Sequence, residues 1–418
     1  MKVFGTLEAP QRRNLLVLFT SGLLFWSSIA SLLPTLPLYV EDVGGTTQQI
    51  GIVIGAFAIG LIACRSWLGR LADRRGGRKL VLLIGMAVCA IAPLGYLFAK
   101  SIPLLIVLRA IHGISLAAFT TGYSALVVDL SPKMQRGELI GYMSLVTPIG
   151  MAIGPAIGGF VQAGAGYVPL FLLTSGLGLV GLVGISQVRE SRIAGEKEDN
   201  STVSAPESAQ QKQFWRLLAS DRLRVPAIVL LLIGLAFGAL STFVPLYIKD
   251  AKVDLNPGLF YTAAAIASFS VRLFAGRASD RYGRGVFITA SILSYALAML
   301  MLSLATSAIA FLLGGFLEGA GAGTLMPMMI ALISDRSSPE ERGKIFALCI
   351  TGFDVGIAIA GPVFGSFADV LGYRSIFAIA TGLSFLALIV FITQSSKNLP
   401  HSFRFALGRE KDIYAFNK

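Results

Sequence analysis

Runs of about 20 apolar residues, each long enough to cross the ~30 Å hydrocarbon core as a helix, recur along the chain between short polar breaks. They fall at 15–40, 50–71, 80–99, 104–128, 139–163 and 168–188, and again at 227–248, 259–278, 286–305, 308–333, 345–368 and 375–393. The pattern predicts an all-α membrane protein of twelve transmembrane helices, six in each half. One long polar segment separates the sets: 189–224, with Glu196-Lys-Glu-Asp-Asn200 and a Ser/Gln-rich run. It reads as a disordered linker with a short surface helix near Phe214 to Leu218. The first bundle is expected over 1–188, the second over 225–396 and a tail over 397–418. The first apolar run is long enough to stay as a span, so no cleavable signal is expected.

The halves repeat each other. Gly69-Arg-Leu-Ala-Asp73-Arg-Arg-Gly76 returns as Gly276-Arg-Ala-Ser-Asp280-Arg-Tyr-Gly283, 207 residues later. Arg65 answers to Arg272 and Gly154-Pro155 to Gly361-Pro362 at the same offset. Pro37-Leu-Tyr39 returns as Pro245-Leu-Tyr247 at 208, and Asp129 with Arg136-Gly137 returns as Asp335 with Arg342-Gly343 at 206. A period this long is a duplicated domain, not a solenoid. The two bundles are therefore expected to be pseudo-symmetric.

Composition fixes the solvent. Of 418 residues, 55% are hydrophobic and 14% charged, far below the roughly 25% charge of soluble domains. The net charge of +12 is unevenly placed. With the N-terminus inside, only Lys100, Lys249, Lys252 and Arg374 fall on outer segments, while inner segments carry Arg70, Arg74, Arg78, Lys79, Arg281, Arg284 and the linker cations. This predicts a multi-pass protein of the plasma (inner) membrane with both termini and linker cytoplasmic, its excess charge facing anionic headgroups. No basic and aromatic platform accompanies the charge, so a nucleic-acid partner is not expected. Cys64, Cys89 and Cys349 lie inside predicted spans without metal-ligand spacing and read as packing residues.

The repeat, the topology and the loop motif together resemble the major facilitator superfamily across nearly the whole chain. That resemblance implies a secondary transporter working by alternating access, with small molecule and proton as partners, the lipid bilayer as surroundings, no cofactor, and function as a monomer. The loop has its own physical reading. Asp73 and Asp280 close helices beside Arg74 and Arg281, and the glycines permit the turn between antiparallel helices. A carboxylate there can face the positive end of another helix. In the family this corner holds the halves together when the cavity opens outward; the same charges would also serve only to set topology. The copies depart differently: Gly77 stands where the family has a base, with Arg78 following, and the second copy has Arg284 followed by Gly285.

In the fifth span, Gly150-Met-Ala-Ile-Gly154-Pro155-Ala-Ile-Gly158-Gly159 places small residues at four-residue steps and a helix-bending proline. It resembles the motif of the family's proton-coupled exporters, where it seals the fifth helix against the eighth. Ordinary small-residue packing is the plainer reading, though the pattern is ten residues long.

Ionisable groups inside spans are costly and suggest function. Four qualify: Arg109 and His112 in the fourth span, Glu318 in the tenth and Asp354 in the eleventh. Leu105-x-x-x-Arg109-x-x-His112-Gly113 resembles the family's fourth-helix motif, whose arginine is implicated in proton transfer, with His112 in place of the usual glutamine. Arg109 also lies shallow enough to snorkel, and His112 also fits as a packing residue. Glu318 follows His112 by 206, so both are expected to face a central cavity, while Asp354 lies ~15 Å into its helix. The expected mechanism is proton uptake outside and release inside by Glu318 or Asp354, with proton and substrate competing. Arg65 and Arg272, near the inner ends of their spans, are expected to support the interface.

Substrate is not legible. Phe25, Trp26, Phe119, Tyr123 and Phe237 are candidate cavity aromatics, and equally candidates for core or lipid contact. The resemblance favours efflux of a small organic molecule; the alternative is uptake of a sugar or other metabolite by symport or facilitated diffusion, against which stands the near-absence of Asn and Gln from the spans. No nucleophile and base constellation and no nucleotide loop is present, so neither catalysis nor ATP is expected.

Overall fold

The computed structural model describes residues 7–74, 76–132, 135–188, 220–337 and 342–415. Helices and short connections make up all of them, with no strand among the described residues. The surface helix expected near Phe214 lies outside the described residues, as does most of the linker.

Among the described residues, eleven helical stretches are long and apolar enough to cross a membrane. The last, Cys349–Gln394, has 46 residues, or ~69 Å of straight helix at 1.5 Å per residue, twice what a bilayer needs. It bends at Gly372 (φ 73°, ψ 162°), a left-handed conformation open to glycine, and so supplies two crossings. Twelve spans result. The first runs over Ala9–Asp42, the second Thr47–Ala72, the third Gly77–Phe98, the fourth Ile102–Leu130, the fifth Glu138–Ala165 and the sixth Tyr167–Gln187. The seventh is Arg224–Asp250, the eighth Pro257–Tyr282, the ninth Arg284–Ser303 and the tenth Ala308–Asp335, and the limbs of the bent helix are the eleventh and twelfth. Spans begin and end alternately on the face that carries the linker and on the far face.

The duplication is visible in the packing. The second and third spans pack on the fourth as the eighth and ninth pack on the tenth, and the halves meet where the second span lies on the eleventh and the fifth on the eighth. Paired sequence features do the same work in each half. The Tyr39 hydroxyl donates to the Ala99 carbonyl (3.1 Å) at the end of the third span, and the Tyr247 hydroxyl to Ala305 (2.9 Å) at the end of the ninth; both satisfy carbonyls that a helix terminus leaves free. At the linker face, Arg78 pairs with Asp129 and Arg284 with Asp335 (2.8 Å). These carboxylates were legible as a repeat, and the repeat is the signal that could have identified them as the partners of the loop cations. Gly76 (φ 71°) and Gly283 (φ 89°) both turn the chain left-handed between spans.

One device has no counterpart among the described residues of the first half. Arg336, 1% exposed at the end of the tenth span, holds Asp412 through Nε (2.7 Å) and Nη2 (3.1 Å), and donates to the carbonyls of Arg222 and Ser395 (both 2.9 Å). The tail expected over 397–418 is a folded clamp where it is described: helix Leu399–Ala406 lies against the ninth and twelfth spans, and Thr289 donates to the Ala406 carbonyl at 3.0 Å.

Candidate functional site

The halves are sealed at the far face by two crossings that repeat each other. A methyl group on Gly51 would lie 1.9 Å from the Gly361 carbonyl oxygen, and one on Gly258, 207 residues on, 2.2 Å from that of Pro155. Neither backbone could approach with a side chain between them. The fifth-span motif is two-sided. A methyl on Gly158 would meet the Ser31 oxygen of the first span at 2.2 Å, while one on Gly159 would meet Asn256 Oδ1 of the eighth at 2.1 Å. Gly150 and Gly154 also abut the first span. Thr262 donates across the halves to the Ala152 carbonyl (3.1 Å).

Charged groups stand over this seal. Lys249 Nζ lies 2.7 Å from Glu41 Oε2 and 3.4 Å from Asp42 Oδ1, and Thr47 donates to Asp369; each contact joins opposite halves. Lys249 is half exposed, so the pair is worth about 1 kcal/mol or less. Lys249→Ala is therefore expected to shift the balance between a closed and an open far face by less than about fivefold, with the difference shrinking as salt is raised; cysteine labelling from the far face over a salt series measures it.

The linker face is different. Asp73 and Arg74 are exposed and form no ion pair among the described residues, and Gly69 faces open space. Arg281 lies over the Tyr282 ring at 5.4 Å, and the side chains of Arg277 and Asp280 fall outside the described residues.

Between seal and linker face lies a cavity of about 220 Å³. Both halves line it: Trp26, Thr147 and Met151 from the first, Phe237, Arg272 and Glu318 from the second. A second space of about 270 Å³ adjoins it between the fifth, eighth and tenth spans, sharing Pro148 and Arg272. Glu318, 5% exposed, accepts a hydrogen bond from the Tyr295 hydroxyl at 2.8 Å. It stands ten residues from the far end of its span, ~15 Å, half the depth of the hydrocarbon core. Asp354 does not line the cavity; its Oδ2 lies 2.7 Å from Arg65 Nη1, an ion pair between the halves.

The expectation that His112 mirrors Glu318 in the cavity fails. His112 is fully buried in the first half, with Nδ1 3.1 Å from the Tyr96 hydroxyl and Phe57 against its ring. Arg109 is also closed off, its guanidinium 4.3 Å over the Phe57 ring. The cause is a broken symmetry: the position answering to Phe57, 207 residues on, is Ala264, itself part of the cavity wall. A phenyl ring covers the first-half site where a methyl leaves Glu318 open.

The aromatic candidates divide likewise. Trp26 and Phe237 line the cavity. Phe25, Phe119 and Tyr123 do not; they stack in the core of the first half, Phe25 on Phe119 at 3.7 Å and Phe119 on Tyr123 at 5.0 Å. Tyr261, Tyr295 and Phe353, which also line the cavity, carried no sequence signal.

Comparisons with known proteins agree with this architecture. The sequence profile described as Major Facilitator Superfamily matches residues 18–277 and 254–406. Multidrug resistance protein MdtG of Serratia proteamaculans (strain 568) is 29% identical over 384 residues, 88% of this chain and 90% of that protein. Quinolone resistance protein NorA of Staphylococcus aureus (strain MSSA476) is 25% identical over 391 residues, 91% and 96% of the two chains. The crystal structure of nucleoside transporter NupG has the same fold, with a TM-score of 0.73 over 90% of this chain and 97% of that one at 14% identity.

Proposed function

We propose for this chain, which belongs to the Major Facilitator Superfamily and is a multi-pass membrane transporter rather than an enzyme, the export of small organic molecules by exchange for protons. The observation that carries this is Glu318: a carboxyl at mid-depth in the wall of a cavity shared by the two halves. A proton bound there and a substrate with a positive group exclude each other, so each crossing carries one or the other. One proton moving down 100 mV supplies about 2.3 kcal/mol, enough for a substrate ratio of roughly fifty-fold.

The rest of the cycle follows from the contacts. The linker face is taken as cytoplasmic in the inner membrane, on the strength of its cations. The described state, sealed at the far face, then loads from the cytoplasm. Opening the far face parts the Gly51–Gly361 and Gly258–Pro155 crossings, and the corners at Asp73 and Arg74 close in exchange. The Asp354–Arg65 pair ties the halves and breaks on protonation of Asp354. Export also accords with the resistance named for MdtG and NorA, and with a cavity wall free of Asn and Gln among the described residues, which disfavours a sugar. The chain acts as a monomer in lipid.

In inside-out vesicles with a pH-sensitive dye, Glu318→Gln is expected to abolish substrate-induced proton release, while Asp354→Asn slows turnover. Proton release that survives both substitutions would sink the carboxylate assignment.

A further inference from the structure

The two arginines related by the duplication have different surroundings. Arg65 is paired with Asp354. Stepping back 207 residues from Asp354 reaches Thr147, so where the second half offers Arg65 a carboxylate, the first offers Arg272 a threonine. Thr147 and Arg272 line the same cavity. No acid pairs with Arg272 among the described residues, and its Nε is buried without a hydrogen-bond partner. A guanidinium in a low-dielectric wall without a counter-charge is costly, and a planar carboxylate satisfies its fork of donors best.

Glu318 occupies a different level of the same cavity. Gly319 crosses the eighth span at Ala264, and Arg272 lies eight residues further along that span, ~12 Å at 1.5 Å per residue. Apart from Ser268, which lies between Ala264 and Arg272 on the eighth span, the wall that Glu318 and Arg272 share is largely apolar and aromatic, with Trp26, Met151, Phe237 and Phe353. We propose that the cavity selects amphipathic zwitterions: a cationic group at Glu318, an aromatic body between the rings, and a carboxylate or similar anion at Arg272. This rests on the exchange reading above and deepens it. The proton competes with the cationic end alone, while Arg272 holds the anionic end in both protonation states. Because Arg272 also borders the adjoining space toward the linker face, it meets the anion on entry.

The test is equilibrium binding by calorimetry to the full-length protein in lipid nanodiscs, with no pH gradient. Three probes share one biphenyl body: 4′-(aminomethyl)biphenyl-4-carboxylic acid, its methyl ester, which is cationic only, and 4′-methylbiphenyl-4-carboxylic acid, which is anionic only. The zwitterion is expected to bind tightest. Arg272→Gln should weaken it about tenfold or more, the scale of a charge-assisted pair, down to the level of the ester, whose own affinity stays unchanged. Thr147→Asp supplies the missing carboxylate from the other half, on the fifth span that packs against the eighth, and should erase the preference for zwitterion over ester without removing the arginine. Equal binding of zwitterion and ester to the native protein, a preference that survives both variants, or no binding of any probe overturns the proposal. Loss of proton release in the vesicle assay with this preference intact would remove the exchange reading and leave the zwitterion site standing.

Discussion

Replacing Gly51 with leucine is expected to abolish transport and leave the far face open. The position has no room: the first added carbon would lie 1.9 Å from the Gly361 carbonyl oxygen, and both partners are backbone, so no side-chain rotation relieves the overlap. Reversing a two-state equilibrium from 99:1 to 1:99 takes about 5.5 kcal/mol, within reach of a forced separation of two helices. The clash exists only while the seal is closed, so the effect is on conformation more than on folding. Gly258→Leu, at the repeated crossing, should act alike. The measurement is labelling by an impermeant maleimide from the far side, using Phe237→Cys in the cavity on a background with Cys64, Cys89 and Cys349 replaced. Labelling should rise about tenfold or more while substrate export stops. A variant that transports normally and stays unlabelled would show that the crossing is not the seal.

The second large effect concerns stability. Arg336→Ala leaves Asp412 without its counter-charge and the Arg222 and Ser395 carbonyls without their donor. Removing one partner of a buried pair costs about 3–5 kcal/mol, and here the Phe405 and Tyr414 rings, 5.8 and 5.2 Å from the guanidinium, also lose their cation. The thermal midpoint of the detergent-solubilised protein should fall clearly. Asp412→Ala should fall by a comparable amount, and the double substitution little further, because the two act through one contact. Full additivity of the two losses would refute the clamp as described.

How much of this was legible follows from what hydropathy encodes. Spans, halves and the left-handed corners at Gly76 and Gly283 follow from local pattern and from repetition, and both survive in one sequence. The direction a span faces does not, because in a bilayer the lipid-facing and protein-facing sides are equally apolar. That is why Phe25, Phe119 and Tyr123 were indistinguishable from Trp26 and Phe237. Comparison at the repeat offset reaches further than hydropathy: Phe57 against Ala264 accounts for the hidden His112, and Thr147 against Asp354 for an Arg272 that no acid pairs among the described residues. The tail clamp was out of reach, since Arg336 and Asp412 have no counterparts in the first half to betray them.

The clamp also sets an order on biosynthesis. Arg336, just past the end of the tenth span, is translated 76 residues before Asp412, so the eleventh and twelfth spans are made before its counter-charge exists. The contact can close only once Asp412 has been made, after the eleventh and twelfth spans. A chain cut short before Asp412 would lack the contact and leave Arg336 without its carboxylate.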